Sequence, residues 1–161
     1  MTEASNPGNL QEIAFTKVLD APREKVFQAW TEPAHFTHWW GGEGCSTPLD
    51  SIFMEVKPGG EWRATMVIDD GGMEIPFLGV YSEVSAPDRL AFTLVDPKDA
   101  ADREERGDAV GEVVTIVLTA TDGGTELSFH QSGHLTETQL VEATAGWESM
   151  IDALGTYTSK L

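Results

Sequence analysis

Two histidines three residues apart come closest to a metal-binding pattern in this sequence. His35 and His38 have the i, i+3 spacing that brings two side chains to one side of a helix, and Glu43 follows nearby. A zinc site requires three or four ligands, and no third ligand stands at a diagnostic spacing. We therefore interpret both histidines as solvent-facing. His130 and His134 flank a strand end and a turn, where the indication of a metal site is no stronger. The sequence predicts no metal site and no cofactor.

The sequence also contains no recognisable catalytic arrangement of nucleophiles and acid–base groups. The one cysteine, Cys45, lies in a glycine-rich loop without an accompanying motif, so we interpret it as an incidental small residue. Arg63 and Glu83 fall mid-strand on faces opposite the apolar residues, which places both outside unless a one-residue bulge reverses the alternation. No catalytic residue is predicted. An enzyme of the cyclase or hydrolase type remains a second alternative, and it requires a titratable group inside a pocket.

Aromatic side chains are the most distinctive chemical groups in the chain. Five tryptophans are present among 161 residues, and they are unevenly placed. Trp39 and Trp40 are adjacent, Trp62 lies in a predicted strand, and Trp147 lies at the centre of the last predicted helix. Such rings can line a site for an apolar molecule or form a solid core, because both uses bury large ring surfaces.

The charge balance excludes several classes of partner. The chain carries 27 Asp and Glu against 10 Lys and Arg, a net charge of −17. Nucleic-acid phosphates and anionic membrane surfaces require the opposite charge. No apolar run approaches the roughly 20 residues of a membrane span, and no charged-then-apolar leader opens the chain. The sequence therefore predicts a cytoplasmic monomer or dimer with no nucleic-acid partner and no membrane insertion.

The last segment, residues 135–161, predicts one long amphipathic helix. Thr136 and Gln139 form a capping box at its start, and Leu135 and Leu140 stand at the two staple positions. An apolar stripe roughly 120° wide runs along one side of this helix. Its members are Leu140, Ala143, Trp147, Met150, Ile151, Leu154, Tyr157, Thr158 and Leu161. A stripe of that width requires a sheet to cover it.

The preceding residues predict that sheet. Residues 12–19 are rich in strand formers, and residues 21–41 predict two short helices separated at Pro33. From 49 to 132, alternating apolar residues and tight turns predict hairpin-connected strands. Six or seven such strands form a curved antiparallel sheet. This order predicts an α+β fold of the helix-grip type, in which the sheet wraps around the long C-terminal helix.

The remaining segments are assigned by their composition. Residues 96–108 are charge-dense and without apolar periodicity, which predicts a long hairpin loop. The sequence leaves open whether that loop is a lid or a solvated tip. Residues 1–11 are interpreted as a flexible terminus, and residues 12–161 as a single helix-grip domain.

Five dispersed blocks resemble one known family, the homologues of the activator of the 90-kDa heat-shock protein's ATPase. The blocks are APREKVFQAWTEP at 21–33 with WWG at 39–41, KPGGEWR at 57–63, GVYSEVSAPDRLAFT at 79–93, GGTELSFHQSG at 123–133, and Gly146-Trp147. The resemblance covers roughly residues 12–160. In that family the last strand usually ends with a histidine before small turn residues. Here Gln131 holds that place, and His130 points to the opposite face.

The resemblance implies membership of the START-like (SRPBCC) superfamily, which includes polyketide cyclases, lipid-transfer domains and pollen allergens. It implies a site for a small hydrophobic molecule, lipid or polyketide-like, between sheet and helix. The predicted lining is Trp40, Trp62, Met66, Phe92, Ile116, Phe129, Trp147, Met150 and Ile151. An interior with room for no more than a water or two would argue against this site. The alternative is a protein-interaction module, such as a chaperone cofactor.

Overall fold

The computed structural model describes residues 9–42, 44–94 and 112–161. Within these ranges the strands are β1 (Asn9–Leu19), β2 (Cys45–Ser46), β3 (Phe53–Met54), β4 (Glu61–Ile68), β5 (Glu74–Ser85), β6 (Arg89–Leu94), β7 (Glu112–Thr121) and β8 (Gly124–Leu135). The helices are α1 (Arg23–Thr31), α2 (Pro33–Phe36), a 3-10 turn (Leu49–Ser51) and α3 (Glu137–Thr158). The predicted loop at 96–108 lies outside the described residues.

The described strands form one antiparallel sheet in the order β1-β8-β7-β6-β5-β4-β2, with β3 also paired to β4. This confirms the predicted α+β helix-grip class, with its long C-terminal helix and two short helices after the first strand. The sheet has eight strands rather than six or seven. The additional ones, β2 and β3, are two residues long, which is too short for alternation to be visible in a sequence.

Helix α3 covers the sheet with the predicted stripe. Trp147, Ile151 and Leu154 are buried, together with Thr158. The backbone N–H of Leu140 donates to the carbonyl oxygen of Thr136. The stripe ends before Leu161, which lies beyond the helix and is 47% exposed. The side chains of Leu135 and Gln139, predicted to staple and cap the helix, lie outside the described residues.

Strand β5 changes faces in its middle. Its register against β6 shifts between Tyr81 and Glu83, so Ser82 is an additional residue on β5. Before this bulge the inward residues are Gly79 and Tyr81, whereas Val80 is exposed. The bulge reverses the alternation beyond Tyr81, whose side chain enters the core.

The two mid-strand charges lie at the surface, as predicted. Arg63 is exposed, and its guanidinium lies 4.8 Å from the ring centroid of Phe53. Glu83 accepts hydrogen bonds from Arg89 at 3.1 Å. Among the described residues no helix combines the length and the apolarity needed to cross a membrane.

Candidate functional site

The predicted lining residues meet in one cluster between the sheet and α3, which we call the aromatic cluster. All of them are buried except Met66 and Met150, which are half-buried and pack against the others. Trp40 lies at the centre. Its ring centroid is 5.6 Å from Trp147 and 5.7 Å from Trp62, in edge-to-face arrangements. The ring centroid of Phe129 lies 4.5 Å from that of Trp147.

The turn after α2 positions Trp40. The indole N–H of Trp39 donates to the carbonyl oxygen of Ala29 at 2.9 Å, which holds the turn against α1. The Thr47 hydroxyl donates to the Trp40 carbonyl oxygen, also at 2.9 Å. Gly41 then leaves the turn at φ +102°, a left-handed conformation that glycine adopts without strain. These contacts direct both tryptophans inward.

A close approach of backbone and side chain positions Trp62. Its indole N–H donates to the Thr93 carbonyl oxygen at 2.9 Å, passing directly over Gly79. A Cβ at Gly79 would collide with that indole nitrogen and with the Thr93 oxygen. The absence of a side chain at Gly79 therefore allows Trp62 to lie flat against β5 and reach β6.

Two methionines form the edge of the cluster nearest to α3. The sulfur of Met150 lies 3.1 Å from the backbone nitrogen of Gly41. A Cβ added at Gly41 would lie 3.1 Å from Cγ of Met66, so both methionines contact the same glycine. Thioether side chains are unbranched and rotate easily. This edge is consequently the most adaptable part of the cluster.

Little empty space remains among the rings. The cavity inside the cluster has a volume of about 10 Å³ and is lined by Trp30, Phe36, Trp40, Met54, Trp62, Tyr81, Leu90 and Phe92. A volume of this order holds roughly one water molecule. In the part of the chain that the structure describes, the aromatic cluster is therefore closed, and the predicted lining residues pack on one another. The open cavity expected between sheet and helix is not found there, and this outcome argues against a preformed site for an apolar molecule.

Three polar atoms in this core are nevertheless unsatisfied. Trp30 Nε1, Trp40 Nε1 and Gln131 Oε1 are buried and have no hydrogen-bond partner among the described residues. Both tryptophans are 2% exposed, and Gln131 is 4% exposed. A buried polar atom left unpaired costs about 1 to 3 kcal/mol, so cores selected for stability hold few of them. Two of the three belong to rings that line the same cavity.

The sequence interpretation did not include five residues that line this cavity: Trp30, Phe36, Met54, Tyr81 and Leu90. Trp30 carries a signal, since it shares a helical face with Val26 and Phe27, and that face is buried. Tyr81 also carries one, since it follows the same alternation as the half-buried Ile75 and Phe77, but the bulge at Ser82 reverses the alternation beyond it. Burial raises the pKa of Tyr81, so its hydroxyl remains protonated at neutral pH.

One of the two closely spaced histidines occupies a different environment from that predicted. His35 is half-buried, and its Nδ1 lies 2.6 Å from the Tyr157 hydroxyl oxygen, so the interpretation of His35 as solvent-facing is wrong. The exposed His38 stacks on the Tyr157 ring at 5.0 Å. Both contacts arise because α2 packs beside the C-terminal half of α3. Burial raises the pKa of Tyr157, which opposes its use as a nucleophile.

The other candidate groups are dispersed. His130 lies on the outer face of β8, with Nε2 3.0 Å from Glu12 Oε1. Cys45 is half-buried in β2. Glu43 and the side chain of His134 lie outside the described residues. Within the ranges 9–42, 44–94 and 112–161, no three His, Cys, Asp or Glu side chains are grouped so as to hold a metal ion.

Several solved structures share this fold. A protein of Chromobacterium violaceum is 22% identical, with a TM-score of 0.76 over 92% of this chain and 96% of that one. An AHSA1-like protein of Aeromonas hydrophila is 22% identical, with a TM-score of 0.75 and coverage of 93% of each chain. The AHSA1 protein of Silicibacter pomeroyi is 20% identical, with a TM-score of 0.73 over 91% and 96%. At these identities the likeness concerns the fold alone.

Sequence comparison identifies the family. The comparison with curated proteins returned no match. The family model described as "Activator of Hsp90 ATPase homolog 1-like protein" matches residues 20–159, which include every element from α1 to α3. The match agrees with the helix-grip arrangement and with the five blocks that resemble this family. The chain therefore belongs to the family of activator of Hsp90 ATPase homolog 1-like proteins.

Proposed function

We propose that this protein binds a small apolar molecule within the aromatic cluster, between the sheet and α3. The ligand contacts the predicted lining: Trp40, Trp62, Met66, Phe92, Ile116, Phe129, Trp147, Met150 and Ile151. The proposal assigns no catalytic residue. The cytoplasmic location and the oligomeric state, monomer or dimer, stay predictions of the sequence.

The unsatisfied polar atoms of the cluster carry this proposal. Trp30 Nε1, Trp40 Nε1 and Gln131 Oε1 are buried without partners among the described residues. Each unpaired atom destabilises the folded protein relative to an apolar side chain of the same shape. A bound molecule with its own polar atoms would satisfy them, and its apolar part would contact the surrounding rings. Sites for small molecules generally combine these two features.

A ligand must displace side chains, because the cavity holds only about 10 Å³. The edge at Gly41 is the part of the wall best suited to move. Met66 and Met150 contact this glycine, and rotation of their unbranched side chains widens the edge.

Thermal unfolding in the presence of a panel of polycyclic aromatic compounds and lipids tests the proposal. A ligand at a hundredfold excess over its Kd stabilises the folded state by about 2.7 kcal/mol. For a domain of this size we expect Tm to rise by roughly 5 to 10 °C.

A matched pair of variants locates the binding. Met150→Trp fills the edge of the cluster and is expected to weaken binding at least tenfold. Met73→Trp makes the same change at an exposed turn and should leave the affinity unchanged. The proposal is wrong if no compound in the panel raises Tm, or if both variants bind like the wild type.

A second function, a protein-interaction module, is favoured by one surface feature. Phe53, Leu78 and Val80 are large apolar side chains exposed on the outer face of β3 and β5, and we call them the outer apolar row. Arg63 lies between Phe53 and Leu78 in the strand pairing. Exposed apolar surface with an adjacent arginine is typical of sites that contact other proteins.

The family description indicates which partner to test, the 90-kDa heat-shock protein and its ATPase activity. If this module operates, the protein stimulates the ATPase of the purified chaperone, and Leu78→Asp abolishes the stimulation. Met73→Asp, an equal change of charge at an exposed turn, should retain it. An unchanged ATPase rate at saturating protein would remove this second function and leave the first intact.

A further inference from the structure

The tryptophans of the core differ in what their indole N–H groups bind. Trp39 donates to the Ala29 carbonyl oxygen and Trp62 to the Thr93 carbonyl oxygen, both at 2.9 Å. Trp30 and Trp40 are equally buried, yet neither N–H has a partner among the described residues. The same type of donor is therefore satisfied at two positions and left open at two others. The unpaired indole N–H groups of Trp30 and Trp40 are therefore a local feature of the core and not a general consequence of its packing.

The two open donors belong to rings that line the same cavity. Trp30, Trp40 and Tyr81 are all part of its wall. The cavity is about 10 Å³ in volume, which corresponds to one water-sized atom. The remaining wall consists of apolar and aromatic side chains, so an occupant finds hydrogen-bonding groups only at these few points.

The donor set selects the chemistry of the occupant. An indole can only donate a hydrogen bond, so Trp30 and Trp40 require an acceptor. Tyr81 can donate or accept, and it stays neutral at ordinary pH. The cavity wall contains no Lys, Arg or His, so a buried carboxylate or phosphate would lie there without a countercharge. Burying an unpaired anion is far more costly than burying a neutral oxygen.

From these observations we infer that the cavity is the polar end of the ligand site and receives one neutral acceptor oxygen. This inference rests on the proposed function. The oxygen is a carbonyl or hydroxyl group of an apolar molecule, held by the indole N–H groups of Trp30 and Trp40. A water molecule offers the same acceptor chemistry and occupies the same place in the free protein. The ligand class is thus a neutral ketone, quinone or phenol with an apolar body, rather than a fatty acid.

Three compounds of similar shape test the chemistry on the wild-type protein: 2-acetonaphthone, 2-ethylnaphthalene and 2-naphthoate. They present a neutral carbonyl, a hydrocarbon and a carboxylate, respectively. We expect the ketone to bind at least tenfold more tightly than the other two in calorimetric titrations. In spectra of protein labelled with ¹⁵N-tryptophan, the ketone should move the indole ¹H signals of Trp30 and Trp40 downfield, and those of Trp39 and Trp62 far less.

Two variants distinguish the loss of an unpaired N–H donor from the loss of an indole ring in general. Trp30→Phe removes one open donor and should reduce the preference for ketone over hydrocarbon at least threefold. Trp39→Phe removes a donor that is already satisfied, so it lowers stability but keeps the preference. Equal binding of ketone and hydrocarbon to the wild type would overturn the inference and leave the proposed function standing. Tighter binding of the carboxylate would overturn the assignment of a neutral ligand.

If none of the compounds binds, the proposed function is overturned. Whether the cavity receives an acceptor oxygen is then tested on the free protein. Magnetisation transfer between the Trp30 and Trp40 indole protons and a long-lived water supports an acceptor at the cavity. If these indole protons show no such transfer, while their exchange with solvent remains slow, the acceptor place is overturned as well.

Discussion

The two ends of this core satisfy their polar groups differently. At the end where Leu19, Leu127 and Leu154 pack, which we call the aliphatic end, the buried hydroxyls are paired internally. Thr125 donates to the Ala21 carbonyl oxygen at 2.7 Å, and Thr158 donates to that of Leu154 at 2.9 Å. Around the aromatic cluster, the indole N–H groups of Trp30 and Trp40 lack partners among the described residues, as does the amide oxygen of Gln131 on β8. Under the proposed function, the polar groups of the aliphatic end are paired internally for stability, and those of the aromatic cluster are left open for a ligand.

Both ends contain a close approach at a glycine. An added Cβ at Gly155 on α3 would lie 3.0 Å from a Leu19 methyl group, and one at Gly41 would lie 3.0 Å from Cβ of Cys45 and 3.1 Å from Cγ of Met66. The Met150 sulfur lies 3.1 Å from the Gly41 nitrogen. The aromatic cluster thus has two methionines at its edge, whose unbranched side chains rotate readily.

The largest expected effect is on the residue that joins the cluster to α3. Trp147→Ala should reduce the free energy of unfolding by about 3 to 5 kcal/mol, because a large buried ring is replaced by a methyl group. Urea denaturation measures the change, and Val141→Ala on the exposed side of α3 is the control, expected within about 0.5 kcal/mol. A loss below about 1 kcal/mol at Trp147 would mean that the ring contributes little to the helix–sheet contact.

At the aliphatic end, Thr125→Val should destabilise the protein by about 1 to 3 kcal/mol, because it leaves the Ala21 carbonyl oxygen without its donor. Valine has nearly the same volume, so the change isolates the hydrogen bond. Chemical denaturation gives the free energy, and ligand affinity should remain within twofold of the wild type. If the variant is as stable as the wild type, the internal pairing of this end does not matter energetically.

A smaller effect appears at high pH and comes from Tyr81. Burial raises the pKa of Tyr81 above its ordinary value of 10.0, so above that pH the unfolded chain loses this proton while the folded chain keeps it. The folded state therefore loses stability as pH rises, by about 1.4 kcal/mol per pH unit from this group alone. Below about pH 10 its contribution is constant.

Thermal unfolding of the wild type and Tyr81→Phe between pH 7 and 11 isolates this contribution, because the remaining groups titrate in both proteins. The difference in stability should be constant up to about pH 9.5 and then change in favour of the variant. Parallel curves up to pH 11 would show that Tyr81 is not buried in the way described.

The smallest expected effect concerns Gln131 and tests whether a buried polar atom lowers the free energy of unfolding while it favours ligand binding. Gln131→Met removes an unsatisfied buried oxygen at nearly constant volume, so the free energy of unfolding should stay the same or rise by up to about 1 kcal/mol. Ligand affinity should fall in the same variant. A loss of stability greater than about 1 kcal/mol would mean that Gln131 contributes to the packing as a polar group and would weaken the comparison between the two ends.

Much of the fold could be predicted because its signals are local. The stripe on α3 follows from helical periodicity, and Trp147, Ile151 and Leu154 are buried as that stripe requires. Pro33 marks the boundary between the two short helices, and glycine pairs mark the hairpins. The position of each residue relative to its immediate neighbours is sufficient for these predictions. The blocks that resemble the family supplied the remainder, the packing of sheet against helix.

The candidate site could be predicted only in part. The residues of the proposed lining lie together because large apolar side chains on the inner faces of several elements must meet in a helix-grip fold. Two features depend on atoms distant in sequence. The bulge at Ser82 reverses the alternation beyond Tyr81, and no pattern along the strand marks it. The near absence of a cavity depends on how the rings of α1, α2 and the sheet fit together.

The hydrogen bonding of the tryptophans illustrates the division most clearly. The chain specifies that Trp30, Trp39, Trp40 and Trp62 are buried, because their size and their elements leave no other place for them. Whether each indole N–H finds a carbonyl oxygen depends on backbone atoms brought within 3 Å by the packing of other elements, as Thr93 is for Trp62. Burial is a property of patterns along the chain, whereas hydrogen-bond satisfaction is a property of distances across it. The open donors at Trp30 and Trp40 could therefore be recognised only in the folded protein.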